Sequence, residues 1–320
     1  MSQHFLLSTK ARTLSLSKVM RMSDDEAFEM FKQVRWNQNG GNPFCPRCGC
    51  VTVYSYKARR VFKCKGCEAQ FSVTTGTIFA SRKLDLRDIL AAIAIFVNSA
   101  KGHSALQLSR DLDVQYKTAF VLSHKIREAL SRTNEGKTLS GVVEMDGAYF
   151  GGYVKPANMK EHRLDRRTRY VQNGKRECVV VMRERDGHAL ANVYKSESDA
   201  AAVAHKHITH GSTVHADEAT SWDSLHARYE TKRINHSAAY SYEGACTNQA
   251  ESFFSRLRRA EVGTHHSIAG KYLDLYADEM AWRENNRRVG NGEQYLMVVS
   301  AGLQTKISRQ WKGYWQRSVD

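Results

Sequence analysis

The chain has 320 residues, 42% hydrophobic and 25% charged, which excludes a disordered polyelectrolyte and allows two or three cores. Its 48 lysines and arginines against 33 acids give +15, so a polyanion is the expected partner, with nucleic acid ahead of an anionic membrane surface. The longest apolar run, Ile89 to Val97, is too short to cross a bilayer, and seven cysteines, four of them in CxxC pairs, point to a reducing cytoplasm rather than a disulfide framework.

Residues 1–40 read as an N-terminal helical segment. The start, MSQHFLLSTKARTLSLSKVMRM, is basic and serine-rich but lacks the apolar core of a secretory signal. Residues 41–80 carry the first chemistry. Cys45 and Cys48 form one CxxC and Cys64 and Cys67 another, with 15 residues between the pairs. Each CxxC turns two sulfurs toward one point, and this spacing predicts a zinc ribbon with a structural Zn²⁺. The intervening VTVYSYKARRVFKC alternates like a hairpin, with Lys57 to Arg60 at its turn. Cys50 is a spare thiol beside the first knuckle. Such modules bind DNA, RNA or protein; Arg47, Arg59, Arg60, Lys63 and Lys65 favour nucleic acid.

Residues 81–135 read as helices. KLDLRDILAAIAIFVNSA has the composition of a largely buried helix. Ser104 can cap a short helix carrying Leu106, Leu108 and Leu112, and a second helix has Ala119, Leu122 and Ile126 on one side. Two helices joined by a tight turn are the layout of helix-turn-helix DNA binders. Asp113 sits where such turns often place glycine and must tolerate a left-handed backbone. Gln115, Tyr116, Lys117, Thr118 and His124 would then face DNA.

Residues 136–290 alternate between strand and helix patterns. In GVVEMDGAYFGGY, Glu144 and Asp146 share one face of a strand otherwise built from valine and methionine. Burying a carboxylate costs several kcal/mol unless a cation or hydrogen-bond donors meet it. ECVVVMRER and HALANVYK, joined through RDG, complete an antiparallel meander. ESDAAAVAHKHI follows as a helix, STVHADEATSWDSL as a short strand ending near Asp217, and KRINHSAAYS as a further strand and loop. In CTNQAESFFSRLRRAEVGTHHS, Ala250, Phe253, Phe254 and Leu257 make an apolar helical stripe, with Asn248 and Glu251 beside it. Three carboxylates, Asp146, Asp217 and Glu251, are thus ordered with 70 and 33 residues between them. Gathered at one end of a sheet they can hold Mg²⁺ or Mn²⁺ for in-line phosphoryl displacement. Glu144 is expected to support the site or to meet a basic side chain. Arg283, Arg287 and Arg288 either clamp phosphate or form a solvated helix end, and 291–320 is a tail without a chemical signal.

Taken together, DDEAFEMFKQVRWNQNGGNPFCPRCG, FKCKGCEAQFSVTTGTIF, LSRDLDVQYKTAF, EMDGAYFGG, TNQAESFFSRLRR and YLDLYADEMAWRENNRR resemble, in their order, insertion-sequence transposases. That family pairs an N-terminal zinc ribbon with a DDE-type catalytic domain, and the resemblance covers about residues 24 to 290. It implies an α/β fold: a ribonuclease-H-like mixed sheet with flanking helices, preceded by the ribbon and a helix-turn-helix segment. It places the first two catalytic acids on Asp146 and Asp217. The third position is an acid in some members and asparagine or another polar residue in others. Glu251 is the preferred ligand here, with Asn248 one helical turn before it. The implied activity is cleavage of element ends and joining of the freed 3′-hydroxyl to target DNA. The implied partners are double-stranded DNA and further copies of the chain, with no membrane. A ribonuclease-H-like nuclease without strand transfer, or a DNA-binding regulator on an inactive transposase fold, are the alternatives.

Overall fold

The computed structural model describes residues 5–151, 155–164, 174–235, 241 and 244–316. They divide into two units, Met1–Thr133 with Asn286–Asp320, and Asn134–Asn285. In the first unit a short helix α1 (Leu16–Met20) precedes α2 (Asp24–Arg35). Ser23 starts α2 with a capping box: the Glu26 N–H donates to Ser23 Oγ at 3.2 Å and the Ser23 N–H to Glu26 Oε2 at 2.7 Å. The predicted hairpin follows as β1 (Val53–Tyr56) and β2 (Val61–Cys64), paired antiparallel, with β3 (Gln70–Phe71) on the other side of β2. Its turn is Lys57–Arg59, closed by Arg60 at φ +49°. Trp36, just after α2, is buried against Phe44, Phe62 and Phe71, so α2 and the ribbon share one small aromatic core.

The apolar run at 89–97 lies in α3 (Leu86–Asn98), buried on almost every side as its composition predicts. Helix α4 (Ala105–Asp111) is capped by Ser104, whose Oγ accepts the Gln107 N–H at 3.1 Å, and α5 (Tyr116–Arg132) packs against it. Asp113, in the turn between them, takes φ +51°, the left-handed conformation expected there. Ala119, Leu122 and Ile126 are buried, and Gln115, Tyr116 and Lys117 are exposed. His124 is a correction. Far from facing outward it is fully buried, stacked on Trp311 at 4.4 Å between centroids. Its expected exposure came from placing it on the DNA-facing side of the second helix, a side that Trp311 covers at this position.

The second unit is built on a five-stranded sheet. Strand β4 (Val142–Gly151) lies at its centre, paired antiparallel with β5 (Arg176–Glu184), which pairs antiparallel with β6 (Ala189–Tyr194). After α6 (Glu197–Val203) the chain returns on the other side of β4 as β7 (Thr213–Asp217), parallel to it, and β8 (Glu230–Ile234) continues parallel to β7. The order β6-β5-β4-β7-β8, a meander extended by two parallel strands, is ribonuclease-H-like. Alternation along β4 separates two cores. Val143 and Met145 face the α6 side with Trp222 and Leu225, while Ala148 and Phe150 face α7 (Asn248–Ala260) and α8 (Leu273–Asn285). The expected stripe Ala250, Phe253, Phe254 and Leu257 is the buried side of α7. Part of the loop expected after β8, residues 236–240, lies outside the described residues.

The C-terminal segment belongs to the first unit. Helix α9 (Asn291–Gln304) packs on α2, α3 and α5, and Gly302 lets the Phe79 ring approach so closely that a Cβ there would sit 2.3 Å from it. Beyond α9, Trp311, Tyr314 and Trp315 gather around Phe120 of α5. Among the described residues no helix is long and apolar enough to cross a membrane.

Candidate active site and metal centre

The four ribbon cysteines meet. Cys45 Sγ lies 3.6 Å from Cys67 Sγ and Cys48 Sγ 3.5 Å from Cys64 Sγ, and all four sulfurs lie within 4.8 Å of one another. Tetrahedral thiolates about 2.3 Å from one zinc ion would be about 3.8 Å apart, so the donor set and its spacing fit Zn²⁺. Each knuckle is closed by a backbone bond to its first cysteine: the Gly49 N–H donates to Cys45 O and the Glu68 N–H to Cys64 O. Both closing residues take positive φ, +76° and +57°. The Cys67 and Gly66 N–H groups point at Cys64 Sγ and, with Cys48, pull its thiol down to about 6, toward the thiolate a metal needs. Cys50 stays outside the cluster, its thiol directed to Thr52 O.

In the second unit the two acids of β4 have opposite surroundings. Glu144 is fully buried and well met. Its Oε2 accepts the N–H groups of Gln249 at 2.8 Å and Ala250 at 3.2 Å, and Arg185 approaches Oε1 at 3.6 Å. Thr247 gives α7 no side-chain cap, so Glu144, reaching from the neighbouring strand, satisfies the first-turn donors and the helix dipole. The same network holds Cys246 and His215 around Arg185, and Gln249 accepts from Arg183 Nε at 2.7 Å. Glu144 thereby fixes the start of the helix that carries Glu251.

Asp146, two residues along the same face, is met by the Gly147 N–H, 2.7 Å from Oδ1. Burial pushes its carboxyl up to about 7; the Gly147 bond opposes this, and the negative charges of Asp217, Glu251 and Glu197 add to it. The sheet thus brings the three predicted acids into one electrostatic neighbourhood: Asp146 on β4, Asp217 ending the adjacent parallel β7, and Glu251 in the first turn of α7. Asp217 Oδ1 accepts the Ala219 N–H at 3.1 Å, and Arg233 anchors the strand end by donating to Asp217 O at 2.6 Å. Asn248 is exposed at the start of α7, whereas Glu251 is half-buried. Among the described residues only the four cysteines draw three or more ligand atoms within 4.8 Å, so the carboxylates are grouped but more widely spaced.

Glu197 is a fourth acid that sequence reading missed. It starts α6, accepts from Ser221 Oγ at 2.8 Å, and covers Gly147 so closely that a Cβ there would lie 2.5 Å from its Cγ. Burial and the charge of Asp217 raise its carboxyl. Its only sequence signal is a position just after a strand, which it shares with many helix-capping acids. Arg283, read as a phosphate clamp or a solvated end, is neither: it is buried against Glu279 at 2.9 Å. The strongest charged influences on Asp146 are all acids, and a group of hard oxygens in that state fits a divalent cation such as Mg²⁺ or Mn²⁺.

Residues 138–285, nearly the whole second unit, match the ISXO2-like transposase domain, and residues 22–70 match the transposase zinc-ribbon domain. Over these two segments the chain is similar to insertion-sequence transposases that join a zinc ribbon to a DDE domain. The ribbon match begins at the foot of α2, consistent with the aromatic core that α2 shares with the cysteine-bearing strands. A protein of the transposable element ISH50 of Halobacterium salinarum, described as uncharacterized, is 31% identical over 137 residues, 42% of this chain and 44% of that relative. The chain therefore matches less than half the length of that relative.

Proposed function

We propose that the chain is a DNA transposase that cleaves the ends of its element and joins the 3′-hydroxyl to target DNA, with Asp146, Asp217 and Glu251 as catalytic residues. The observation that carries this reading is the convergence of those acids on Asp146, whose proton affinity they and burial raise, inside the segment that matches the transposase domain. The three carboxylates would hold Mg²⁺ or Mn²⁺, and two such ions, when bound, supply charge stabilisation for the attacking and leaving oxygens of an in-line displacement. The chain's own residues do the rest. Asp146 would hold the cation in its ionised form, the proton passing to solvent. Glu144 and Arg185 hold α7 so that Glu251 faces the strand end, and Arg233 fixes the backbone of Asp217. Glu197 adds negative charge beneath Gly147.

DNA binding is assigned to the first unit. Gln115, Tyr116 and Lys117 are exposed at the start of α5, with Thr118 half-buried beside them, in the position of a recognition helix, and the ribbon adds basic side chains. Each phosphate neutralised adds about 0.9 to the slope of log affinity against log salt, so duplex binding should fall steeply with ionic strength. More than one copy of the chain is expected on DNA, because two element ends must be processed together.

The test uses linear DNA carrying the sequences that flank the gene, in Mg²⁺ or Mn²⁺, with a supercoiled target. Wild type should nick the ends and produce joined products, and Asp146→Asn and Asp217→Asn should bind the DNA without doing either. Cleavage without joining would favour a nuclease, and binding with no cleavage by wild type would favour a regulator.

A further inference from the structure

A cavity of the first unit adjoins the exposed start of α5. It holds about 740 Å³ and lies between the chain after the ribbon, the first turns of α5 and the C-terminal aromatic segment. That size is within the range of about 300–1,000 Å³ in which pockets enclose a small ligand. Among the described residues that line it, five are cationic, Arg82, Lys83, Lys117, Lys125 and Lys312, and none is acidic. Asp85 reaches Arg82 at 3.9 Å and Glu128 partly offsets the desolvation of Lys125, while Lys83 and Lys117 add further positive charge to the wall. The aromatic side of the cavity is Trp315. Its indole is 47% exposed, has the Lys117 ammonium 5.3 Å from the ring centroid, and is held edge-on by Tyr314 at 5.2 Å. Tyr314 in turn packs on the buried Trp311 at 4.9 Å, so the exposed ring stands on a packed base.

Charge alone would suit any polyanion. An exposed indole inside the basic wall selects further. Bases of a duplex are stacked on each other and offer no face to a pocket, whereas a strand with unpaired nucleotides offers phosphate and a π-face together. An acidic peptide would satisfy the lysines and leave the indole unused.

We propose that this cavity binds unpaired nucleotides of a DNA strand, with a base stacked on Trp315 and phosphates held by Lys117, Lys125 and Lys312. The proposal rests on the reading of the chain as a DNA-processing enzyme, and it assigns the C-terminal segment to the capture of a strand opened or freed at the cleaved end.

The experiment measures anisotropy of two labelled probes with the full chain at one ionic strength: an oligothymidylate of about twelve nucleotides, within the usual site size, and a mixed-sequence duplex. Trp315→Ala should weaken oligothymidylate binding roughly 10-fold or more, the range expected for a lost stacking platform. It should leave duplex affinity within about twofold, while Trp315→Phe should retain most single-strand affinity. Zinc content and circular dichroism of each variant report that the fold is kept. Unchanged oligothymidylate binding by Trp315→Ala would overturn the proposal. So would equal losses on both probes, or displacement of the oligothymidylate by polyglutamate of equal charge. If wild type bound the duplex and not the oligothymidylate, this proposal alone would fail; if it bound neither, the functional reading would fail with it.

Discussion

The sulfurs of the ribbon and the carboxylates of the sheet are both suited to cations, yet they are built in opposite ways. The cysteines converge on short knuckles closed by local backbone bonds, and all four sulfurs lie within 4.8 Å. The acids come from β4, from the end of β7 and from α7, elements far apart in sequence, and their oxygens do not close to that spacing. A closed set of soft ligands suits a structural ion, whereas an open set of hard oxygens leaves coordination positions for water and phosphate. The ribbon is expected to depend on its metal for folding, while the acid group is held in place by packing and by Glu144 against the repulsion of its own charges.

The comparison breaks most visibly at the ribbon. Cys45→Ser should lower zinc content below about one ion per chain and unfold the ribbon, because structural zinc contributes on the order of 10 kcal/mol to such modules. Elemental analysis and limited proteolysis check this, and a stable zinc-free ribbon would contradict it. Next in size is the third acid. Glu251→Gln should slow metal-dependent end cleavage by on the order of 10³-fold, about 4 kcal/mol of barrier. Asn248→Ala should cost roughly tenfold or less on the same ends. The reverse ranking would move the third ligand to Asn248.

The pH dependence sharpens the electrostatic half. The Asp146 carboxyl has a folded value near 7, above its unfolded one. Its contribution therefore favours the fold below about pH 4 and is lost as the pH rises through about 7. The metal-free chain should lose on the order of 4 kcal/mol of stability across that window from this group, and Asp146→Asn should flatten the curve in denaturant titrations. Cleavage should rise over the same interval, since Asp146 must ionise to hold a cation. The smallest effect is at Glu144. Glu144→Ala removes two helix-cap acceptors and the partner of Arg185, so it should cost about 2 kcal/mol of stability in the second unit. It should slow cleavage by about tenfold with zinc content unchanged.

Much of this architecture is readable without coordinates because it is local. The CxxC spacing, the alternation of β4 to β6 and the apolar stripe of α7 each lie within one short segment. Asp113 at positive φ and Ser104 as a helix cap are legible for the same reason. The long-range features are not. Whether a strand carboxylate is met by a cation, by N–H groups or by other acids depends on which elements lie over it. Glu144 and Asp146 therefore look alike in the sequence and differ in the fold. Glu197 carries no pattern of its own and enters the site only because Gly147 leaves room for it. His124 was misread because the aromatic residues that bury it come from a segment more than 180 positions away, which hydrophobic periodicity cannot connect to α5.

The most direct test of the central claim is a Mn²⁺ titration of the zinc-loaded chain in the presence of duplex DNA, followed by electron paramagnetic resonance. Wild type should bind Mn²⁺ that Mg²⁺ displaces, and Asp146→Asn should lose this binding while its zinc and its affinity for the duplex stay unchanged. Equal Mn²⁺ binding by wild type and Asp146→Asn, or none by wild type, would contradict it.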